Sequence, residues 1–222
     1  MRIAFAFLAL FALTAAKPAP KAPDWSRTVT RAPSGGFVIG NPAAKVRLVE
    51  YMSYTCGHCA QFAADSRVPL PRDWLARGRV SFEIRNFVLN GLDYTAALAA
   101  RCGGLARFKG NHDAIFAAQA TLLDKGAAFD AAKHGTNPVI GMKAWARASG
   151  LAALMATRGV PAAALDRCIA DPKEQARIQA MTRDASEVRK LPGTPYFYLN
   201  DRALATNRWS EVEAELRAAT PS

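Results

Sequence analysis

Two cysteines three positions apart, Cys56 and Cys59, stand where the chain changes texture. The run "VRLVEYMSY", Val46–Tyr54, leads in with β-branched and aromatic residues, and an Ala/Gln/Phe-rich stretch leads out. The spacing predicts a strand that turns into a helix, with the pair at the turn. A helix N-terminus leaves its first N–H groups unpaired and carries partial positive charge, so a cysteine there is stabilised as thiolate. Cys56 is placed for that role, and Cys59, one helical turn further in, is expected to face inward as the resolving thiol. Gly57 keeps an N–H that can donate toward the Cys56 sulfur, and His58 can carry positive charge beside it. A stable thiolate leaves readily from a disulfide, so the expected pair is oxidising.

Two plainer readings compete. Half of a zinc site would need further ligands, and the chain has no second CxxC and no close His pair. Accidental buried cysteines fit poorly with a strand-turn-helix setting. By the period of two, Val46, Leu48, Glu50, Met52 and Tyr54 share one face of the strand. Glu50 is then a carboxylate in an apolar row. It is either ion-paired with one of the many arginines or a buried proton acceptor with a raised pKa that serves Cys59.

The first residues combine Arg2, an apolar run from Ile3 to Leu13 and small residues ending at Ala16, the pattern of a signal peptide over residues 1–16. Eleven apolar residues fall short of the roughly 20 that a spanning helix needs, so an exported, periplasmic chain is expected. Formal net charge is +11, and removing residues 1–16 subtracts only Arg2, leaving +10. The basic residues are scattered from Arg67 to Arg183 without a dense run or nucleic-acid motif, so a solvated basic surface is expected and no nucleic-acid partner.

Residues 17–34, rich in Pro, Lys and Ala, read as a flexible N-terminal arm. Strands are expected at "GGFVIG" (35–40), "KVRLVEYMSY" (45–54), "RVSFEIRNFVL" (79–89) and "TPYFYLND" (194–201). Between the last two lie nearly one hundred residues at helical spacing, with 125–141 as a surface loop, and a final helix at 210–219 closes the chain. This order predicts an α/β fold, with one domain formed by 35–92 and 188–222 and a helical insertion over 93–187.

"VRLVEYMSYTCGHCAQF" together with "LPGTPYFYLND" resembles the DsbA-like branch of the thioredoxin superfamily, over about Gly35 to Ala219. The resemblance implies a thioredoxin-like fold with an inserted helical domain and thiol–disulfide oxidoreduction on exported proteins. It also implies a cis-proline against the redox pair at Pro195, with Thr194 before it shaping the substrate groove, and a buried acid at Glu50. No dissociable cofactor and no resident metal are expected. For an oxidase the implied partner is a quinone-linked membrane protein that re-oxidises the pair; for an isomerase it is a membrane reductant. Gly57, in place of the proline common in such oxidases, and Thr194 are also found among isomerase-type members, which leaves direction open. Isomerases often dimerise through an extra N-terminal domain, and the short arm here argues for a monomer. The reading of another class is a soft-metal binder using Cys56, Cys59 and His58.

Cys102 and Cys168 bring the cysteines to an even four. In an oxidising compartment a structural disulfide between them is expected; two free buried thiols or a second redox pair are the alternatives. Phe108, Phe116, Trp145, Met155 and Trp209 read as core, and His112 and His134 receive no role.

Overall fold

A computed structural model describes residues 23–130, 133 and 135–220. The expected leader over residues 1–16 and His134 lie outside the described residues. Six strands form one sheet: β1 (Val29–Arg31), β2 (Phe37–Gly40), β3 (Val46–Met52), β4 (Val80–Asn86), β5 (Tyr196–Leu199) and β6 (Arg202–Ala203), in the order β1-β2-β4-β3-β5-β6. β3 and β4 are parallel, paired from Val46↔Val80 to Met52↔Asn86, and the remaining neighbours are antiparallel. Helices surround β3, which is why its sequence reads as a near-continuous apolar run. Its period of two still holds. Val46, Leu48, Met52 and Tyr54 enter the main core, while Val49 and Tyr51 join a smaller cluster with Ala185 and Leu191.

Helix α1 (Gly57–Ser66) follows β3, and a π-helical turn (Leu70–Leu75) leads on to β4. Between β4 and β5 the chain forms α2 (Gly91–Arg101), α3 (Leu105–Ala117), α4 (Gln119–Gly126), α5 (Pro138–Ala148), α6 (Leu151–Thr157), α7 (Ala162–Ile169), α8 (Pro172–Arg183) and a π-helical turn (Asp184–Val188). Helix α9 (Trp209–Ala219) then packs back on α1, with the Phe62 and Trp209 rings 6.0 Å apart.

The structure corrects the sequence reading at several places. The described part of the expected flexible arm is ordered: Asp24 caps a 3-10 turn at Trp25–Arg27, and β1 pairs with β2. A strand of three residues is too short for its period to show. Within the expected loop 125–141, α4 runs to Gly126, and α5 begins at Pro138 with Asn137 accepting the Val139 N–H. Asn-Pro here is a helix start, with proline at the position whose missing N–H costs nothing. Gly150, at φ 83°, divides the helical run that follows residue 141 into α5 and α6.

The helical block is bound to the sheet by Arg101, whose side chain is 1% exposed. Its Nε donates to Glu174 at 2.7 Å, it also donates to Asn86 Oδ1 and the Gly35 carbonyl, and its guanidinium lies 4.8 Å from the Phe37 ring centroid. A buried charge survives only when paired and hydrogen-bonded this fully. Cys102, just past α2, is bonded to Cys168 in α7, closing a sequence separation of 66 residues.

Replacing Cys102 and Cys168 together by alanine is expected to lower unfolding stability by up to about 4 kcal/mol, the chain-entropy value for such a loop. Urea unfolding measures this, and an unchanged midpoint would show the bond to be energetically idle.

Candidate active site

The redox pair sits where β3 ends and α1 begins. Cys56 is the N-cap of α1, with φ −87° and ψ 122°, and is half-buried; Cys59 is 0% exposed. One turn of helix thus separates a thiol at the surface from one in the core. The Cys56 thiol is lowered to about 5. The largest cause is a hydrogen bond from the Cys59 thiol; burial opposes it, and the Thr194 side chain and the Cys59 and His58 main-chain N–H groups add to it. The N–H donors expected from Gly57 are therefore supplied by the next two residues, as the open first turn of a helix allows. Gly57 and the His58 side chain are exposed, and His58 acts on the sulfur through its backbone.

Cys59 behaves oppositely. Burial pushes its thiol far above the ordinary range, and the Cys56 and Glu50 charges push the same way. The Ser53 N–H lies 3.5 Å from its sulfur as donor.

Glu50 is 2% exposed and pushed up to about 8, by burial first and the Cys56 charge second. Among the described residues no arginine or lysine pairs with it, so the ion-paired alternative fails. Its carboxyl lines a narrow cavity of about 40 Å³ with Phe62, Phe82, Ile84 and His112, and with Lys109 and Asp113. That volume has room for water.

The Thr194–Pro195 bond is cis and brings the chain against the pair just before β5. The Cys56 thiol donates to the Thr194 carbonyl at 3.2 Å. The Thr194 hydroxyl is buried without a hydrogen-bond partner among the described residues, on the side chain that helps to lower the Cys56 thiol. Beside Thr194 and Pro195 an open groove of about 440 Å³ is lined by Tyr196, Leu204, Asn207 and Arg208.

Several residues at the site escaped the sequence reading. Gln119, at the start of α4, donates to the carbonyls of both Tyr54 (2.9 Å) and Cys56 (3.0 Å). His112, given no role above, has Nδ1 2.9 Å from the Tyr54 hydroxyl, and burial lowers it to about 4, which keeps it neutral. Asp93 accepts the Tyr54 N–H. The available signal was "NGLD": Asn90 Oδ1 accepts the Asp93 N–H and marks a helix start. Nothing in the sequence pointed from that helix back to the turn at Ser53–Cys56. Among the described residues no group of three or more His, Cys, Asp and Glu side chains could hold a metal ion.

Residues 33–218 match a family model described as thioredoxin. A protein of Rickettsia prowazekii, provisionally named a protein-disulfide oxidoreductase, is 27% identical over 169 residues, which are 74% of this chain and 54% of that protein. A Rickettsia felis protein of the same provisional name is 27% identical, over 74% of this chain and 52% of its own. The chain thus spans about half the length of the curated relatives it matches. Among solved structures, a protein-disulfide isomerase from Novosphingobium aromaticivorans aligns with a TM-score of 0.76 at 32% identity, over 82% of this chain and 95% of its own. Wolbachia pipientis alpha-DsbA1 shares the fold, with a TM-score of 0.61 at 17% identity over 84% and 90% of the two chains. On the match across residues 33–218, which includes the redox turn, the chain belongs to the thioredoxin family.

Proposed function

We propose that this protein is an exported thiol–disulfide oxidoreductase that introduces disulfides into secreted or periplasmic proteins through Cys56-Gly57-His58-Cys59. The observation that carries the reading is the contrast within the pair: a half-exposed Cys56 held as thiolate, and a Cys59 buried beside an unpaired carboxyl.

In the oxidised protein a substrate thiolate attacks the Cys56 sulfur, the Cys56–Cys59 bond breaks, and a mixed disulfide forms on Cys56. Cys59 leaves as a thiolate that burial disfavours, and Glu50, protonated near neutral pH, supplies its proton. A second substrate thiolate then attacks the substrate sulfur of the mixed disulfide and expels Cys56, the better leaving group because its thiolate is stabilised. The substrate has lost two electrons, the pair has gained them, and Cys56 ends as thiolate with Cys59 as thiol. Thr194 and Pro195 border the groove in which an extended substrate segment lies beside Cys56, held by main-chain hydrogen bonds.

Export rests on the leader pattern at residues 1–16. Renewed activity requires an oxidant for the reduced pair, and a quinone-linked membrane protein is the partner this reading implies. A second reading, disulfide isomerisation, is favoured by the name of the Novosphingobium aromaticivorans structure at 32% identity and by Gly57 and Thr194. The low Cys56 thiol favours net oxidation, because stabilising the reduced, ionised form makes the disulfide a stronger oxidant.

Cys59→Ala is expected to accumulate mixed disulfides to several exported proteins on Cys56, released by reductant, whereas Cys56→Ala traps almost nothing because its remaining thiol is buried. Non-reducing electrophoresis reads this directly. Equal trapping by both variants would overturn the assigned roles, and none by either would favour soft-metal binding.

Glu50→Gln keeps the shape of the side chain and removes its proton. It should slow exchange at Cys59 by about 10²-fold near pH 7, the lower end of general acid–base effects, with the fold intact. Stopped-flow exchange with a thiol peptide checks it, and unchanged kinetics across pH 5 to 8 would leave Glu50 a structural residue.

The direction of electron flow has a test in stability. Cys56 has a depressed folded pKa of about 5 against about 8.5 unfolded. Its contribution is present above the unfolded value and is lost as pH falls through about 5. Only the reduced form has this thiol, so reduced protein should gain stability over oxidised protein as pH rises from about 5 to about 8.5. Paired denaturant titrations at fixed pH would show it. Oxidised protein the more stable at pH 8 would reverse the proposed direction.

A further inference from the structure

The turn that delivers Cys56 holds a second buried carboxylate that the exchange steps leave unused. Asp93, in the first turn of α2, is 0% exposed, and its two oxygens serve two different segments. Oδ1 accepts the Tyr54 N–H at 2.7 Å, two residues before Cys56. Oδ2 accepts the Leu89 N–H at 2.9 Å, in the loop from β4 into α2. Asn90 completes the clamp: its Oδ1 accepts the Asp93 N–H and its Nδ2 donates to Thr55 Oγ1, both within 3.0 Å. The Ser53 hydroxyl accepts the Thr55 N–H and also reaches Asp93. Ser53, Tyr54 and Thr55 are thus all held from the first turn of one helix of the inserted block.

We propose that Asp93 is a positioning residue that also tempers the oxidising strength of the Cys56–Cys59 pair, because it fixes the turn before Cys56 and sets a negative charge against the thiolate. The proposal rests on the thiol–disulfide reading above and deepens it.

Two N–H groups arrive from different directions and both need an oxygen acceptor. Asparagine offers one oxygen and a carboxylate two, so the geometry brings a charge with it. Among the described residues no lysine or arginine forms an ion pair with that carboxylate. The titratable and charged groups around Asp93 are Cys56 at the N-cap of α1 and Tyr54 in the turn, on which Arg101 also acts, with Glu50 on β3 beyond it. On α3, neutral His112 meets the Tyr54 hydroxyl and Asp113 adds a further negative charge. On α8, Arg183 lines the same groove as Asn90 and Gly91, while Arg101 at the far end of α2 is committed to Glu174.

Burial pushes Asp93 up to about 6, against hydrogen bonds from Ser53, Leu89 and Tyr54, and the Cys56 charge pushes the same way. Coupling between two sites is reciprocal. If the thiolate makes Asp93 harder to ionise, ionised Asp93 makes the thiolate less stable by the same factor. Above about pH 6 the carboxylate therefore works against the reduced form, and below it the effect fades.

The experiment is the equilibrium of the full chain with glutathione from pH 4.5 to 8, for wild type and Asp93→Asn, with Cys56 ionisation followed by thiolate absorbance. The variant should be reduced more readily, by about fivefold at pH 7.5, with a lower Cys56 pKa, and the difference should vanish below pH 5. A shift of equal size at every pH would mark a purely structural role and overturn the proposal. Should the variant not fold, carboxyl NMR of wild type decides: the Asp93 pKa should fall on oxidation, when the thiolate is gone, and equal values in both redox states refute the coupling. An ordinary pKa for wild-type Cys56 would instead sink the thiol–disulfide reading, and this inference with it.

Discussion

The three residues between β3 and Cys56 impose the constraint on which the site depends. Ser53–Thr55 end a strand buried on both faces and start a helix whose N-cap is Cys56. The turn therefore presents one sulfur to open helix N–H groups and carries the other, one helical turn later, into the core. Backbone donors favour charge on the first, and desolvation forbids it on the second. A slip of one residue in β3 would move Glu50 to the opposite face of the sheet and strand Cys59 without a proton partner. The parallel pairing of β3 with β4 over seven residues opposes such a slip.

The inserted helices are part of this arrangement. Tyr54 is gripped at its N–H by Asp93, at its carbonyl by Gln119 and at its hydroxyl by His112, from α2, α4 and α3 respectively. Gln119 also holds the Cys56 carbonyl. Buried main-chain groups in a turn need partners, and here the partners come from the helical block, so the position of Cys56 is coupled to the packing of that block. The Arg101 ion pair with Glu174 and the Cys102–Cys168 bond keep the block in place far from the sulfurs.

Two buried carboxyls flank the pair and differ in what surrounds them. Asp93 accepts backbone N–H groups through both oxygens, which limits its upward shift to about 6. Glu50 faces a small cavity among aromatic rings, and burial with the Cys56 charge lifts it to about 8. The first is built to stay in place and the second to exchange a proton.

The sequence by itself determined what is local. The strand, the cysteine pair at a helix start and the apolar face carrying Glu50 follow from periods of two and 3.6 and from where they change, and the long helical run before "TPYFYLND" marks the insertion. The cis bond at Pro195 came only with family resemblance, since X-Pro bonds in folded proteins are cis in about 5–6% of cases. Contacts between residues far apart in sequence were decided by tertiary structure alone. β1 forms only because β2 offers an edge, and Asp93, His112 and Gln119 lie 39, 58 and 65 residues from Tyr54. A helix start, a buried histidine and a glutamine leave the same local trace whether or not they grip a redox turn, because local periodicity carries no information about which turn the packed helix will meet.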